Sequence, residues 1–266
     1  MELRCPLCGG RLAQSEKTFR CPSGHSFDMA RQGYVHLLPV QSKHSAAPGD
    51  TREQVLSRRS FLETEVYAPI CACLTDAARA RNISGQLLDA GCGEGWYSAR
   101  LARELGLALT GLDISKEAVR CAAAKYKGKL WMCATAAHIP VADGSAQLLT
   151  SLFALTLPEE FSRVLQPGGY YFQVLAAEDH LLGLKGIIYD ELHHKEKDTV
   201  PQLPGFELVK TVPIRFDFTV EGQQVRNLFS MTPHVFRIGK DGAERLKNTT
   251  HLTDTASCVL NVYRRT

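Results

Sequence analysis

Two groups of residues in this 266-residue chain have the types and spacing of chemical sites. The first is Leu87-Leu88-Asp89-Ala90-Gly91-Cys92-Gly93-Glu94-Gly95, answered by Asp113. A short apolar run that ends in an acid and then alternate glycines turns a buried strand sharply into a helix, and the absent side chains let backbone touch a ligand. Asp113 closes the next apolar run, where a second strand would present a carboxylate to ribose hydroxyls. The chemistry is that of a nucleoside-type cofactor. The dinucleotide pattern is disfavoured, because the third glycine comes one residue early and Trp96 stands in its place. The second group is Cys5-Pro6-Leu7-Cys8-Gly9-Gly10 and Cys21-Pro22-Ser23-Gly24-His25. Three thiolates and one imidazole from two tight turns complete a tetrahedral Zn²⁺ site and leave no position for water. The expected ion is structural, since a unit of about 35 residues cannot build a sufficient core without a metal or disulfides.

The elements that must position these residues follow from the pattern. Residues 1 to about 35 form a small zinc-binding unit, and 36–50, with Pro39, Ser42, Ser45, Pro48 and Gly49, read as a linker. Thr51 to Gln54 has capping-box spacing and opens a helix expected to run through Tyr67. Strands are expected near 86–90, 107–113, 129–134, 147–153 and 170–175, with helices between them, which makes a parallel sheet covered on both faces. Glu207 to Val220 and Ala256 to Tyr263 supply two last strands, with 221–250 as an insertion lacking a strong helix repeat.

Composition sets wide bounds. The chain is 44% hydrophobic with net charge +3, which permits a nucleic-acid partner without arguing for one. No apolar run reaches the length of a membrane span, and the N-terminus lacks a signal-peptide core. Nine cysteines, an odd number scattered mostly in apolar or helical contexts, read as reduced thiols in a cytoplasm. Both a monomer and a homodimer fit.

The acid two residues before Gly91, with Gly-x-Gly-x-Gly, resembles the first motif of class I S-adenosylmethionine methyltransferases. With the zinc knuckles, Phe27-Asp28-Met29-Ala30, Leu37-Leu38-Pro39-Val40-Gln41, Pro48-Gly49-Asp50, Arg58-Arg59, Ile188-Tyr189 and Met231-Thr232-Pro233, nearly the whole chain resembles bacterial 23S rRNA guanine-N1 methyltransferases that carry an N-terminal zinc finger. The resemblance implies an α/β fold with a Rossmann-like seven-stranded sheet, divided into a zinc-binding domain (1–35), a linker and helix (36–66) and a methyltransferase domain (67–266). It implies S-adenosylmethionine and zinc as cofactors and large-subunit rRNA as partner, methylated at guanine N1 in a domain II hairpin. It also implies that Tyr67 and His180 line the cofactor pocket; from the residues alone they read as a packing tyrosine and a surface histidine. Glu94 belongs to the glycine turn, and His138, after the third strand, either borders the adenine or is a satisfied loop histidine. One departure stands out: the family's aromatic-Ala-Pro turn after the fourth strand reads Phe153-Ala154-Leu155 here, so the base-acceptor loop is expected to be less constrained.

Methylation at N1 needs a group to take the N1 proton and an unpaired or flipped guanine. Asp143, Glu178, Asp179 and His180 lie near the sheet's carboxyl edge, and spacing singles out none of them. Arg31, Lys43, Arg52, Arg58 and Arg59, with Tyr34, His36 and His44, give a basic stretch that either meets RNA phosphates or is a solvated helix face. On the first reading, removal of Arg58 and Arg59 weakens RNA binding and spares the cofactor. The remaining readings are a methyltransferase for another RNA or a small molecule, and a non-catalytic assembly factor that keeps the fold. The zinc knuckles argue against a small substrate, and the intact Asp89, Gly91, Gly93 and Asp113 argue against a dead site.

Overall fold

Runs of Leu, Val and Ala that bury both faces pair in parallel, and that pairing organises the molecule. The computed structural model describes residues 1–42, 48–192 and 197–266. The N-terminal unit is a three-stranded antiparallel sheet of β1 (Ala13–Ser15), β2 (Thr18–Arg20) and β3 (Ser26–Asp28). Then come β4 (Tyr34–His36), α1 (Arg52–Leu62), α2 (Ala68–Arg79), β5 (Gln86–Ala90), α3 (Trp96–Leu105), β6 (Ala108–Asp113), α4 (Lys116–Lys125), β7 (Leu130–Cys133) and β8 (Ala146–Leu152). They are followed by α5 (Pro158–Val164), β9 (Leu165–Ala176), α6 (Leu182–Ile188), β10 (Phe206–Glu221), α7 (Gln223–Ser230), α8 (Lys240–Asn248) and β11 (His251–Arg265).

The central sheet has eight strands among the described residues, in the order β10-β11-β9-β8-β5-β6-β7-β4. Seven are the expected ones, with β11 antiparallel to both of its neighbours. The eighth, β4, comes from the seam between the expected zinc unit and the expected linker. It pairs in parallel with β7, Tyr34 opposite Trp131 and His36 opposite Cys133. Tyr34, Val35, Leu37 and Leu38 are buried, so this stretch is sheet edge and core. Alternation missed it because three residues carry no readable period.

The N-terminal unit also shares its core with the sheet. Leu3, Cys5, Leu12, Phe19 and Cys21 pack in one apolar cluster with Leu88, Leu112, Met132 and Val141. Leu3 bridges Val141, and the Arg4 N–H donates to the Pro140 carbonyl at 2.9 Å. The ribbon thus covers sheet surface that a helix would otherwise cover.

Three other expectations change. The capping box is present, with Gln54 N–H donating to Thr51 Oγ1 at 3.3 Å and Thr51 N–H to Gln54 Oε1 at 2.9 Å. The helix it opens stops at Leu62, and Tyr67 begins a second one, because Pro69 fits only a first turn. That second helix buries Ile70, Leu74, Ala77 and Ala78 as one apolar stripe and packs beside α3, β10 and β11. Segment 221–250 holds α7 and α8: α8 is largely polar and exposed, and α7 sets only Val225, Leu228 and Phe229 among polar residues, too short a run to read as a repeat.

Candidate functional site

At the zinc knuckles the ligand atoms of Cys5, Cys8, Cys21 and His25 all lie within 4.8 Å of one another. Cys8 Sγ is 3.7 Å from Cys21 Sγ, and His25 Nδ1 is 3.5 Å from Cys5 Sγ and 3.3 Å from Cys21 Sγ. Ligands placed tetrahedrally at ~2.0–2.3 Å from one ion stand roughly 3.3–3.8 Å apart, so these residues fit Zn²⁺ as they are. Each turn is closed by backbone, with Gly9 N–H on the Cys5 carbonyl at 2.8 Å and Gly24 N–H on the Cys21 carbonyl at 3.0 Å. Gly9 and Gly24 sit at φ +71° and +85°, where a side chain would be strained. Hydrogen bonds, first from the Gly10 backbone and then from Ser23 and His25, pull the Cys8 thiol down to about 6, toward the thiolate a metal requires.

The second site is a cleft of about 1330 Å³ at the carboxyl ends of the parallel strands. It lies where the strand order reverses between β5 and β8, the switch point at which such sheets bind ligands. Gly91, Gly93 and Gly95 all have positive φ, at +82°, +55° and +78°. They are not equivalent. A Cβ on Gly95 would strike the Trp131 ring at 2.5 Å, and one on Gly91 would strike Ala154 at 2.8 Å, whereas one on Gly93 would meet only Arg58 Nη1 at 3.8 Å. Gly93 is therefore the open face, and Gly95 is required by packing.

Three carboxyls converge there. Asp89 is buried at the end of β5 and accepts from Thr150 Oγ1 at 2.8 Å across the strand pair. Burial pushes it up to about 6. Asp113 accepts from the Gly93 N–H at 2.9 Å and the Ser115 N–H at 2.8 Å, which ties the glycine turn to the start of α4. Its remaining lone pairs are open to ribose hydroxyls. Glu94 is lifted by burial to about 7, against the pull of Arg58. Among the described residues, Glu94 Oε2 and Tyr97 Oη are buried and have no hydrogen-bond partner. Such orphans are costly, so a polar ligand in this cleft fits them.

The structure brings Tyr67, Asp89, Gly91, Gly93, Glu94, Asp113 and His180 together in the cleft lining. Tyr67 is buried against Phe61, Phe216 and Phe218, edge to face at ring separations of 5.1, 6.0 and 6.0 Å. His180 is held by the Ser257 N–H and stacks on Phe153 at 6.1 Å, and burial pushes it down to about 4. His138 is exposed and is not among the cleft-lining residues; Thr135, Ala136 and Ala137 of the same turn line it. Asp143 is outside as well, paired with Arg163. Asp179 is paired with Arg215.

The basic stretch divides, with Arg31 and Arg52 exposed and Arg58 drawn inward. Arg58 lines the cleft and pairs with Asp50, also in the lining. Gly49, at φ +82°, packs so closely on Ser115 that a Cβ would come within 2.9 Å, and Ser115 Oγ donates to the Asp50 carbonyl at 2.8 Å. Segment 48–50 is thus a strap over the glycine turn, fixed at the α4 start and by Arg58. Arg59 is paired with Glu63, Tyr34 is core, and Lys43 and His44 lie outside the described residues. Asp50 and Arg58 were recoverable only from the Pro48-Gly49-Asp50 and Arg58-Arg59 matches to the family.

The turn after β8 is pinned despite its missing proline. Phe153 N–H donates to the Val174 carbonyl at 2.9 Å, and Ser151 Oγ to the Leu155 carbonyl at 3.0 Å. Phe153 itself sits at φ +54°, strained for a side chain, with its ring half exposed in the cleft. Beyond it the lining includes Lys185, Tyr189, Lys197, His234 and Arg237, none of which spacing had marked.

Comparison with known proteins agrees with both sites. A zinc-ribbon family described as RlmA, N-terminal, matches residues 3–46. One described as Methyltransferase domain matches residues 88–173. The chain is 35% identical over 246 residues to the "23S rRNA (guanine(748)-N(1))-methyltransferase" of Streptomyces fradiae, covering 87% of this chain and 84% of that protein. It is 37% identical over 203 residues to the "Putative 23S rRNA (guanine-N(1)-)-methyltransferase" of Micromonospora griseorubida, covering 68% of each. With that identity, that coverage and both sites in place, the chain belongs to the zinc-ribbon family of 23S rRNA (guanine-N1)-methyltransferases.

Proposed function

We propose that this protein transfers a methyl group from S-adenosylmethionine to N1 of a guanine in a domain II hairpin of 23S rRNA, in the cytoplasm. The observation that carries the reading is the cleft. At about 1330 Å³ it exceeds the ~300–1,000 Å³ that holds one small ligand, so it has room for a cofactor and a flipped base together. When bound, the cofactor supplies a methyl group already activated on a sulfonium.

The rest falls to the chain. Asp113 would accept the ribose hydroxyls of the cofactor, Thr135 to Ala137 would border its adenine, and Glu94 and Tyr67 would line the rest of its pocket. Asp89 holds the turn through Thr150 and keeps the glycines in place. Phe153 presents a ring on which a flipped guanine stacks, and its strained backbone fixes that ring where the base must enter. His180, behind it, offers a hydrogen bond. Positioning of this kind supplies much of the rate in a transfer between two bound groups. The ribbon, on the same sheet, holds the RNA.

The test is transfer from radiolabelled cofactor to unmodified 23S rRNA, followed by reverse transcription. N1-methylguanine blocks the pairing edge, so the polymerase stops there. The expected result is one labelled position in the domain II hairpin; label elsewhere in the rRNA would remove the hairpin assignment, and unlabelled rRNA would remove the substrate.

A further inference from the structure

Among the described residues, the cleft lining includes His180 and His234, whose partners differ. His180 Nδ1 accepts the Ser257 backbone N–H at 3.1 Å. A backbone N–H only donates, so neutral His180 carries its proton on Nε2. It offers a ligand a donor and no basic nitrogen. His234 Nδ1 lies 2.8 Å from Tyr189 Oη, with the rings edge to face at 5.4 Å. A hydroxyl accepts as readily as it donates. In the tautomer that gives Nδ1–H to Tyr189, Nε2 is left unprotonated and basic; in the other, Tyr189 donates to Nδ1 and Nε2 carries the proton.

Both members of this pair line the cleft, on elements 45 residues apart in sequence. Each is held in place. The His234 N–H donates to Thr232 Oγ1 at 3.3 Å, and Thr232 Oγ1 donates to the Phe229 carbonyl at 2.7 Å. The Tyr189 N–H donates to the Lys185 carbonyl at 2.9 Å and closes α6. Among the described residues, the charged groups that act on His234 are the cations Lys185, Arg237 and Lys197, while Glu191 and Asp198 also line the cleft. Burial first, and then these cations, hold the imidazole below its ordinary value, so it is neutral at physiological pH.

We propose that His234, oriented by Tyr189, takes the N1 proton of the target guanine. This rests on the guanine-N1 reading above. The N1 proton passes to Nε2, and the electron pair of the N1–H bond forms the bond to the methyl carbon. The carbon–sulfur bond breaks with its pair left on sulfur. One positive charge leaves the sulfonium and one appears on the imidazolium, so charge balances. Tyr189 Oη accepts Nδ1–H throughout and steadies the imidazolium. Lys185, Lys197 and Arg237 offset the negative charge that grows on the base as N1 loses its proton.

The test uses the full-length, zinc-loaded protein. His234→Ala should bind cofactor and 23S rRNA within about twofold of wild type, while single-turnover methylation falls ~100-fold or more, the usual worth of a general base. Added imidazole should restore part of that rate. Tyr189→Phe should lower the rate about five- to tenfold at unchanged RNA affinity. In NMR titration of the free protein, His234 should titrate below its ordinary value, at the pH where the acid limb of the wild-type rate falls. A His234→Ala rate within fivefold of wild type overturns the proposal, as does RNA affinity lost in step with rate. If wild-type protein labels the RNA and His234→Ala labels it equally, the base assignment alone falls. If wild-type protein leaves guanine N1 unlabelled, the functional reading falls and the base assignment with it.

Discussion

The ribbon and the cleft are both polar sites in one molecule, and they are built by opposite means. The ribbon draws four ligands from two turns within residues 5–25 and closes them around a point. The cleft draws residues from the strap at Gly49 to Arg237 and leaves them apart around a space. A site that must never release its ligand satisfies every donor internally. A site that turns over keeps Glu94 Oε2 and Tyr97 Oη unsatisfied and waits for one that comes and goes. The first contributes stability and the second costs it.

That contrast can be broken at four points. Cys21→Ser should have the largest effect. Structural zinc is worth ~10–16 kcal/mol in isolated modules, so the ribbon should lose its metal and its exchange protection, visible by zinc analysis and hydrogen exchange. Because Cys21 packs in the cluster with Leu88 and Met132, the melting temperature of the whole chain should fall too. If the melting temperature holds after zinc is lost, the shared core contributes nothing.

Gly95→Ala comes next, at about 3–5 kcal/mol from positive φ plus overpacking on Trp131. Gly93→Ala, with an open face, should cost only about 1–2 kcal/mol and act mainly on cofactor affinity. Equal losses in chemical unfolding would show that the two glycines are interchangeable.

Glu94→Gln probes the cost of the open site. A carboxyl raised to about 7 in the fold and ordinary when unfolded gives the native state the extra proton between those values. Its contribution is therefore present at low pH and lost as pH rises through about 7, ~3 kcal/mol at most. Cofactor-free wild type should lose stability between pH 5 and pH 7.5 partly through this group, and the variant should lose less; identical pH slopes would exclude it.

Arg58→Ala should be mildest, about tenfold in cofactor affinity, ~1.4 kcal/mol. It frees the strap at Asp50 and removes the charge that favours ionised Glu94 and Asp113. Calorimetry reads this directly, and unchanged cofactor affinity would return Arg58 to the RNA face.

How much of each site was legible follows the same division. The zinc ligands are close in sequence, so spacing alone named all four. The glycine turn and Asp113 were readable because strand-to-strand distance fixes them. Arg58 was not: its burial depends on Gly49 settling against Ser115, 66 residues on, and a charged residue on a helix otherwise reads as solvated. At His138, strand order fixes the loop's position but not which of its side chains faces inward. The Tyr189–His234 contact joins α6 to a turn beyond β10, and only the fold shows it. In the sheet, the long parallel strands were legible to within a few residues, whereas β4 was too short to have a pattern.

β4 also fixes how far apart the two sites stand. Since β4, bridged to the end of the ribbon at Met29–Val35, is hydrogen-bonded to β7 in the sheet that carries the glycine turn, and the ribbon packs on that sheet, the two sites are fixed to one frame. They are the jaws of a caliper cast in one piece. On the proposed reading, in which the ribbon holds the RNA, the span from the zinc to the cleft is a fixed length that the substrate has to match.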